Sequence, residues 1–192
     1  MLQHRSQKHT IPEKYSVPWF IPPDEAMKKK DYRYTIYINN ILCQMKILLL
    51  DNIRSILNVG ALFRTCDGAG FEKIILTGFT PTPPRKELTK TAIGAENFVA
   101  WEYYKNPLEY VQELKKQGYK IFVLEQTPES IDFHSVSSMN YENICLILGN
   151  EIEGVQKELI ALADHCIEIP MLGQKQSLNV ATAGGICMYQ FL

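Results

Sequence analysis

From residue 47 onward the chain alternates short apolar runs with stretches of helical periodicity. Residues 47–50 are all Ile or Leu, a run with the length and character of a buried strand. Residues 55–69 place Ile56, Val59, Leu62 and Phe63 on one face of a helix, which Gly68 and Gly70 end. A strand is predicted over 73–76, a proline-rich loop over 80–85, a short helix over 86–92 and a strand over 98–101. The helix predicted over 107–117 starts on Pro107, turns Leu108, Val111 and Leu114 inward and is capped by Gly118. A strand over 120–124, a loop over 125–128 and a strong apolar strand over 144–148 follow. A helix over 155–163, a strand over 166–169 and a last helix from about residue 178 complete the pattern. Strands that alternate with helices predict an α/β fold, a mostly parallel sheet with helices on both faces.

The first part of the chain does not share this pattern. Pro12, Pro18, Pro22 and Pro23 are too dense for regular structure up to about residue 31. Tyr15, Trp19 and Phe20 are costly to leave in water, so this arm is expected to pack against something. Residues 32–38 alternate aromatic and β-branched side chains like a strand, and Asn39-Asn40 can turn it back into 41–50 as a hairpin. The expected organisation is an N-terminal extension over 1–45 and one globular domain over 46–192.

Composition narrows the partners. The chain has 192 residues, enough for one domain with a substantial core plus a short extension. The formal net charge of -1 gives no global basic field, so an anionic partner has to be held by local patches. Arg85, Lys86 and Lys90, and the run Lys28, Lys29 and Lys30, are candidate phosphate contacts, although such runs are commonly just solvated faces. Five scattered cysteines without a C-x-x-C pair point to reduced, buried thiols in a cytoplasmic protein. No metal site is expected: neighbours in a strand point to opposite faces, which separates His165 from Cys166. The apolar runs are too short to span a bilayer and the N-terminus has no signal-peptide core, so no membrane association is expected.

Three stretches carry candidate chemistry. In Asn58-Val-Gly-Ala-Leu-Phe-Arg-Thr, Asn58 and Arg64 sit roughly 9 Å apart along a helix and about 120° apart in facing. They can meet only if the helix begins near Asn58 or if other segments converge on them. Arg64 lies in a segment that reads as half-buried and needs a carboxylate, a phosphate or a backbone carbonyl; an ion pair with Asp67 or Asp51 would serve as well as a bound phosphate. In Leu148-Gly-Asn-Glu-Ile-Glu-Gly, Gly149 follows a buried strand and lets another backbone or a ligand come close. Glu151 then stands near a helix N-terminus, which stabilises a carboxylate, and Glu153 reads as simple capping. The third stretch runs from Met171 through Gly173, Ser177, Leu178 and Asn179 into the last helix. A polar loop between a strand and a helix is where an α/β fold holds its ligand. Ser177 reads as the helix N-cap, and no nucleophile-elbow motif surrounds it. Asn179 is a mediocre helix former placed toward the crevice.

In this order and spacing, the three stretches resemble the motifs of the SpoU/TrmH family of RNA ribose 2'-O-methyltransferases, within the SPOUT class. N-x-G-A-x-x-R-T is matched by Asn58, Gly60, Ala61, Arg64 and Thr65, and L-G-x-E with a following glycine by Leu148, Gly149, Glu151 and Gly154. I-P-M-x-G-x-x-x-S-L-N-V is matched by Ile169, Pro170, Met171, Gly173, Ser177, Leu178, Asn179 and Val180. The resemblance covers about residues 46–192.

It implies a parallel sheet whose C-terminal segment is threaded into a trefoil knot, a rare exception to un-knotted topology. It implies S-adenosyl-L-methionine as cofactor, held by Leu124, Glu125, Gln126 and Thr127, by Leu148, Gly149 and Asn150, and by Ile169, Met171, Ser177 and Leu178. Arg64 is implied as the catalytic group, with Asn58, Glu151, Ser177 and Asn179 positioning the reactants. A homodimer through the last helix is implied as well, although the chain's end at Leu192 predicts a shorter helix there. RNA is the implied partner. The lack of a separate N-terminal RNA-binding domain favours tRNA over rRNA. The alternative from another class is a non-catalytic RNA-binding or assembly factor that keeps the fold; its mark would be a broken motif, and the three motifs here are intact.

Overall fold

The computed structural model describes residues 45–192. The expected arm with Lys28, Lys29 and Lys30, and the hairpin up to residue 44, lie outside the described residues. The strands are β1 (Lys46–Asp51), β2 (Lys73–Thr77), β3 (Ala100–Tyr104), β4 (Lys120–Leu124), β5 (Ile131–Asp132), β6 (Ile144–Leu148) and β7 (His165–Glu168). They form one sheet in the order β3-β2-β1-β6-β4-β7-β5, and each neighbouring pair is parallel. The helices are α1 (Ile56–Ala69), α2 (Lys86–Ala92), α3 (Leu108–Lys116), α4 (Lys157–Ile160) and α5 (Val180–Met188).

Alternating side chains of the central strands feed two cores. Leu48, Leu50, Ile74, Leu76, Phe122, Leu146 and Leu148 pack with Val59, Leu62, Phe63 and Cys66 of α1, Leu88 of α2 and Cys187 and Met188 of α5. On the other face Ile47, Leu49, Ile75, Ile121, Val123, Cys145 and Ile147 pack with Val111 and Leu114 of α3 and Leu159 of α4. Every residue of β1 and β6 is buried. That two-sided burial explains why these strands are continuous apolar runs rather than alternating ones. Each fully buried Leu or Ile contributes about 1.5–3 kcal/mol relative to an exposed one, so these two strands hold the sheet together.

Several expectations need correction. The helix expected over 155–163 is reduced to the single turn of α4. The reason is that Val155 and Gln156 are drawn out to hydrogen-bond Glu125 and Asp51 through their backbone N–H groups. The last helix begins at Val180, and its N-cap is Asn179 rather than Ser177. The strand expected over 98–101 lies at Ala100–Tyr104, because residues 95–97 form a 3-10 turn that carries Phe98 to the surface. Gln117, not Gly118, caps α3, and Gly68 lies inside α1, which Gly70 ends in a left-handed conformation. Two pieces had no pattern to announce them: the two-residue β5 and the 3-10 helix Phe133–Ser138 that follows it. No helix among the described residues is long and apolar enough to cross a membrane.

Candidate functional site

All strand C-termini of a parallel sheet open on one rim, and there β1, β4, β6 and β7 deliver their loops. Asn150 organises the turn after β6. Its Oδ1 accepts from the backbone N–H of Ile152 at 2.9 Å and Glu153 at 3.0 Å, and its Nδ2 donates to Asn52 O at 2.7 Å. Gly149 faces the returning chain of that turn. A Cβ there would lie 2.3 Å from Gly154 C and from Val155 N, so it is backbone that demands the glycine. The turn is tied to its neighbours by two carboxylates: Glu125 Oε2 accepts from Val155 N at 3.0 Å, and Asp51 Oδ2 from Gln156 N at 2.9 Å. Burial pushes the Asp51 carboxyl up, and its bonds from Gln156, Asn52 and Thr77 offset this only in part.

The same turn presents Glu151 to the start of α1. Glu151 Oε2 accepts from Arg54 N at 2.9 Å, and its Oε1 accepts from Ser55 N at 3.0 Å and Asn58 Nδ2 at 2.9 Å. Desolvation pushes this carboxyl up. The N–H groups of Arg54, of Glu151 itself and of Ser55, with the Asn58 amide, outweigh it and hold the group below its usual value. Asn58 Oδ1 in turn accepts from Asn179 Nδ2 at 3.1 Å, and Asn179 Oδ1 caps α5 by accepting from Ala181 N and Thr182 N at 2.9 and 3.3 Å. The orientation of both amides is set by these partners: each oxygen meets a donor, and each nitrogen meets an acceptor. One run of hydrogen bonds, Glu151–Asn58–Asn179, therefore joins the three stretches.

Beside it lies a cleft of about 430 Å3, a size that suits a small organic ligand. Leu124, Glu125, Gln126, Leu148, Gly149, Asn150, Ile169, Met171, Ser177 and Leu178 line it, as do Glu151 and Asn179. Thr127, expected with them, does not; its backbone is engaged with Ser130 instead. Four more residues line it: Gly154 and Val180, named in the motifs but given no place in the cleft, and Ile152 and Ala183, which sequence reasoning missed. Val180 and Ala183 stand one helical turn apart at the start of α5, so correct placement of that helix would have found them. Among the described residues the lining is apolar apart from amides, Ser177 and two carboxylates, Glu125 and Glu151, and it holds no cationic side chain. Such a lining suits a ligand with an apolar body and a positive centre. Gln126 Nε2 donates to Gln176 O at 3.2 Å and links the loop after β4 to the loop after β7.

Arg64 is placed differently. It lies on the exposed side of α1, does not line the cleft, and is paired with neither Asp67 nor Asp51 among the described residues. Its neighbours Phe63 and Cys66 are buried, and the half-buried expectation was theirs rather than its own. Arg85, Lys86 and Lys90 gather on α2 around a hollow of about 380 Å3 with Pro84 and Thr89.

Residues 45–189 match the model of the SpoU rRNA Methylase family. The chain belongs to that family. Among its SpoU relatives is the tRNA (guanosine(18)-2'-O)-methyltransferase of Aquifex aeolicus, 33% identical over 75% of this chain and 67% of that protein. The enzyme of the same name from Escherichia coli K12 is 30% identical over 69% of this chain and 56% of its own length. The AdoMet-bound rRNA methyltransferase from Sinorhizobium meliloti superposes with a TM-score of 0.70 at 27% identity, over 76% of this chain and 55% of that one. This SpoU chain thus spans little more than half of the last two proteins.

Proposed function

We propose that this protein transfers a methyl group from S-adenosyl-L-methionine to a ribose 2'-hydroxyl of RNA, with tRNA favoured over rRNA. The observation that carries the reading is the Glu151–Asn58–Asn179 hydrogen-bond run on the wall of a cleft that suits a ligand with a positive centre. Membership of the SpoU family supports methyl transfer to RNA, and the names of the Aquifex and E. coli relatives support tRNA.

The cofactor, when bound, supplies a methyl group already activated by a positive sulfur, so no metal is needed. Leu124, Leu148, Ile169, Met171 and Leu178 exclude water around its apolar parts, and Glu125 and Glu151 favour its positive charge. Gln126, Gly149, Asn150 and Ser177 offer hydrogen bonds that orient it. On the ribose O2' the methyl group would replace the hydroxyl proton as its bond to sulfur breaks, and that proton would pass to a neighbouring RNA phosphate or to solvent. Guanidinium is not a proton acceptor at neutral pH. Arg64, unpaired among the described residues, therefore acts by fixing a phosphate that takes the proton, or by stabilising the developing alkoxide.

Arg85, Lys86 and Lys90 hold RNA phosphates, with Lys28, Lys29 and Lys30 of the extension adding to them. The globular domain is residues 46–192, and its C-terminal segment forms the family's trefoil knot. The protein works as a homodimer through the end of α5, where Ile186, Tyr189 and Leu192 are exposed apolar groups. It works in the cytoplasm, which accords with the free thiols of Cys66, Cys145, Cys166 and Cys187. The test is methyl transfer from labelled cofactor to total tRNA and, separately, to rRNA. Incorporation at a 2'-hydroxyl is expected. Cofactor binding without incorporation into either RNA would overturn the reading.

A further inference from the structure

An aromatic surface at the sheet edge, a short loop away in sequence from the basic helix α2, does not line the cleft. β3 is the outer strand of the sheet and carries Trp101 and Tyr103 on one face, 36% and 47% exposed. They align with Ile74 and Leu76, whose face is the one that α1 and α2 cover. Phe79, just beyond β2, is 60% exposed. Single exposed rings are ordinary on protein surfaces; these are bracketed to the cleft. Tyr103 Oη donates to Gly78 O at 2.7 Å, and Phe79 N donates to Asn52 Oδ1 at 3.2 Å. The carbonyl of Asn52 receives Asn150 Nδ2 at 2.7 Å, and Asn150 lines the cleft. The chain then leads from Phe79 straight to Arg85, Lys86 and Lys90, which take part in no ion pair among the described residues. Aromatic faces for bases next to free cations for phosphates are the means by which unpaired nucleic acid is held, whereas a duplex hides its base faces.

We propose that Phe79 and Tyr103, with Trp101 beside them, form a stacking platform for unpaired RNA nucleotides flanking the one delivered to the cleft, while Arg85, Lys86 and Lys90 take their phosphates. The inference rests on the RNA reading above and adds a requirement for looped or single-stranded substrate. The test uses the full chain saturated with S-adenosylmethionine. Fluorescence anisotropy compares an RNA stem-loop with a blunt RNA duplex of the same composition. Phe79→Ala and Tyr103→Ala are each expected to weaken stem-loop binding roughly 5- to 100-fold, the worth of one stacked base. Duplex and cofactor affinities stay unchanged, and Tyr103→Phe, which keeps the ring, retains most of the stem-loop affinity. Stem-loop affinity equal to wild type in both alanine variants overturns the platform, and so does an equal loss on the duplex. A wild-type chain that binds no RNA sinks the functional reading and the platform with it. Wild-type binding matched by the variants sinks the platform alone.

Discussion

Asn58 donates its side-chain amide to Glu151 Oε1 at 2.9 Å, across 93 residues of chain. The contact makes Glu151 a cap for α1 supplied by another loop, since the same carboxylate also takes the N–H groups of Arg54 and Ser55. Glu151→Gln keeps the shape but replaces one acceptor oxygen by a donor that faces a donor. The expected cost is about 1 kcal/mol in urea unfolding, reduced from the value of a buried charged hydrogen bond because Glu151 is exposed. Methyl transfer should fall further than stability, as the cleft wall loosens.

The same carboxylate predicts an acid-side slope. Its value in the folded protein lies below the unfolded one. Its stabilisation is therefore present above the unfolded carboxylate range, about pH 4.3, and is lost as pH falls through the lower folded value. Asp51 has the opposite sign. Burial raises its folded value, so its ionised form opposes folding at neutral pH, and that penalty is relieved as the pH falls. Urea unfolding of wild type and Glu151→Gln across pH 7 to about pH 3 separates the two. The variant should lose less stability over that range than wild type; parallel curves would remove Glu151 from the acid response.

Asn179 performs two tasks that substitution can split. Asn179→Asp keeps an oxygen for Ala181 N and Thr182 N but loses the donor to Asn58 Oδ1. It should fold at nearly wild-type stability with strongly reduced transfer. Asn179→Ala loses the cap as well and should cost about 1 kcal/mol more. Equal activity in Asn179→Asp and wild type would show that the bridge to Asn58 is dispensable.

What the sequence showed and hid follows from the range of the forces involved. β1, β4 and β6 were legible because two-sided burial writes itself as an apolar run. α1 was legible because its buried stripe repeats at helical spacing. The expected helix over 155–163 failed because Glu125 and Asp51, remote in sequence, take the N–H groups of Val155 and Gln156. Capping by Asn179 instead of Ser177 was hidden for a related reason: both residues are good caps, and the bond to Asn58 selects one of them. Most of the cleft lining was named through the resemblance alone; periodicity located the third loop but not its ligand.

Arg64 is exposed and unpaired among the described residues, so its removal should leave the fold intact. Arg64→Ala is expected to change unfolding free energy by no more than about 0.5 kcal/mol. It should leave cofactor affinity by calorimetry unchanged and lower kcat roughly 100- to 1000-fold, the scale of one lost transition-state contact. Arg64→Lys should recover little, since a point charge does not reproduce the guanidinium fork. Wild-type turnover in Arg64→Ala would end its catalytic assignment.

Gly184 and Gly185 are neighbours on α5 with opposite constraints. A Cβ on Gly184 would lie 2.6 Å from Leu148 Cδ1 and 2.9 Å from Leu62 Cδ2, where α5 meets β6 and α1 in the core. One on Gly185 would meet only Thr65 Cγ2, at 3.6 Å, an ordinary contact. Gly184→Ala is therefore expected to destabilise by about 1–3 kcal/mol through overpacking. It should also disturb the cleft, which Leu148 and Ala183 both line. Gly185→Ala should stabilise by roughly 0.5–1 kcal/mol, because alanine loses less backbone freedom than glycine in a helix. Thermal and urea unfolding of the two single variants decide it. Equal effects at the two positions would mean that α5 shifts to accommodate either methyl group, and the tight seat of α5 on Leu62 and Leu148 would have to be given up.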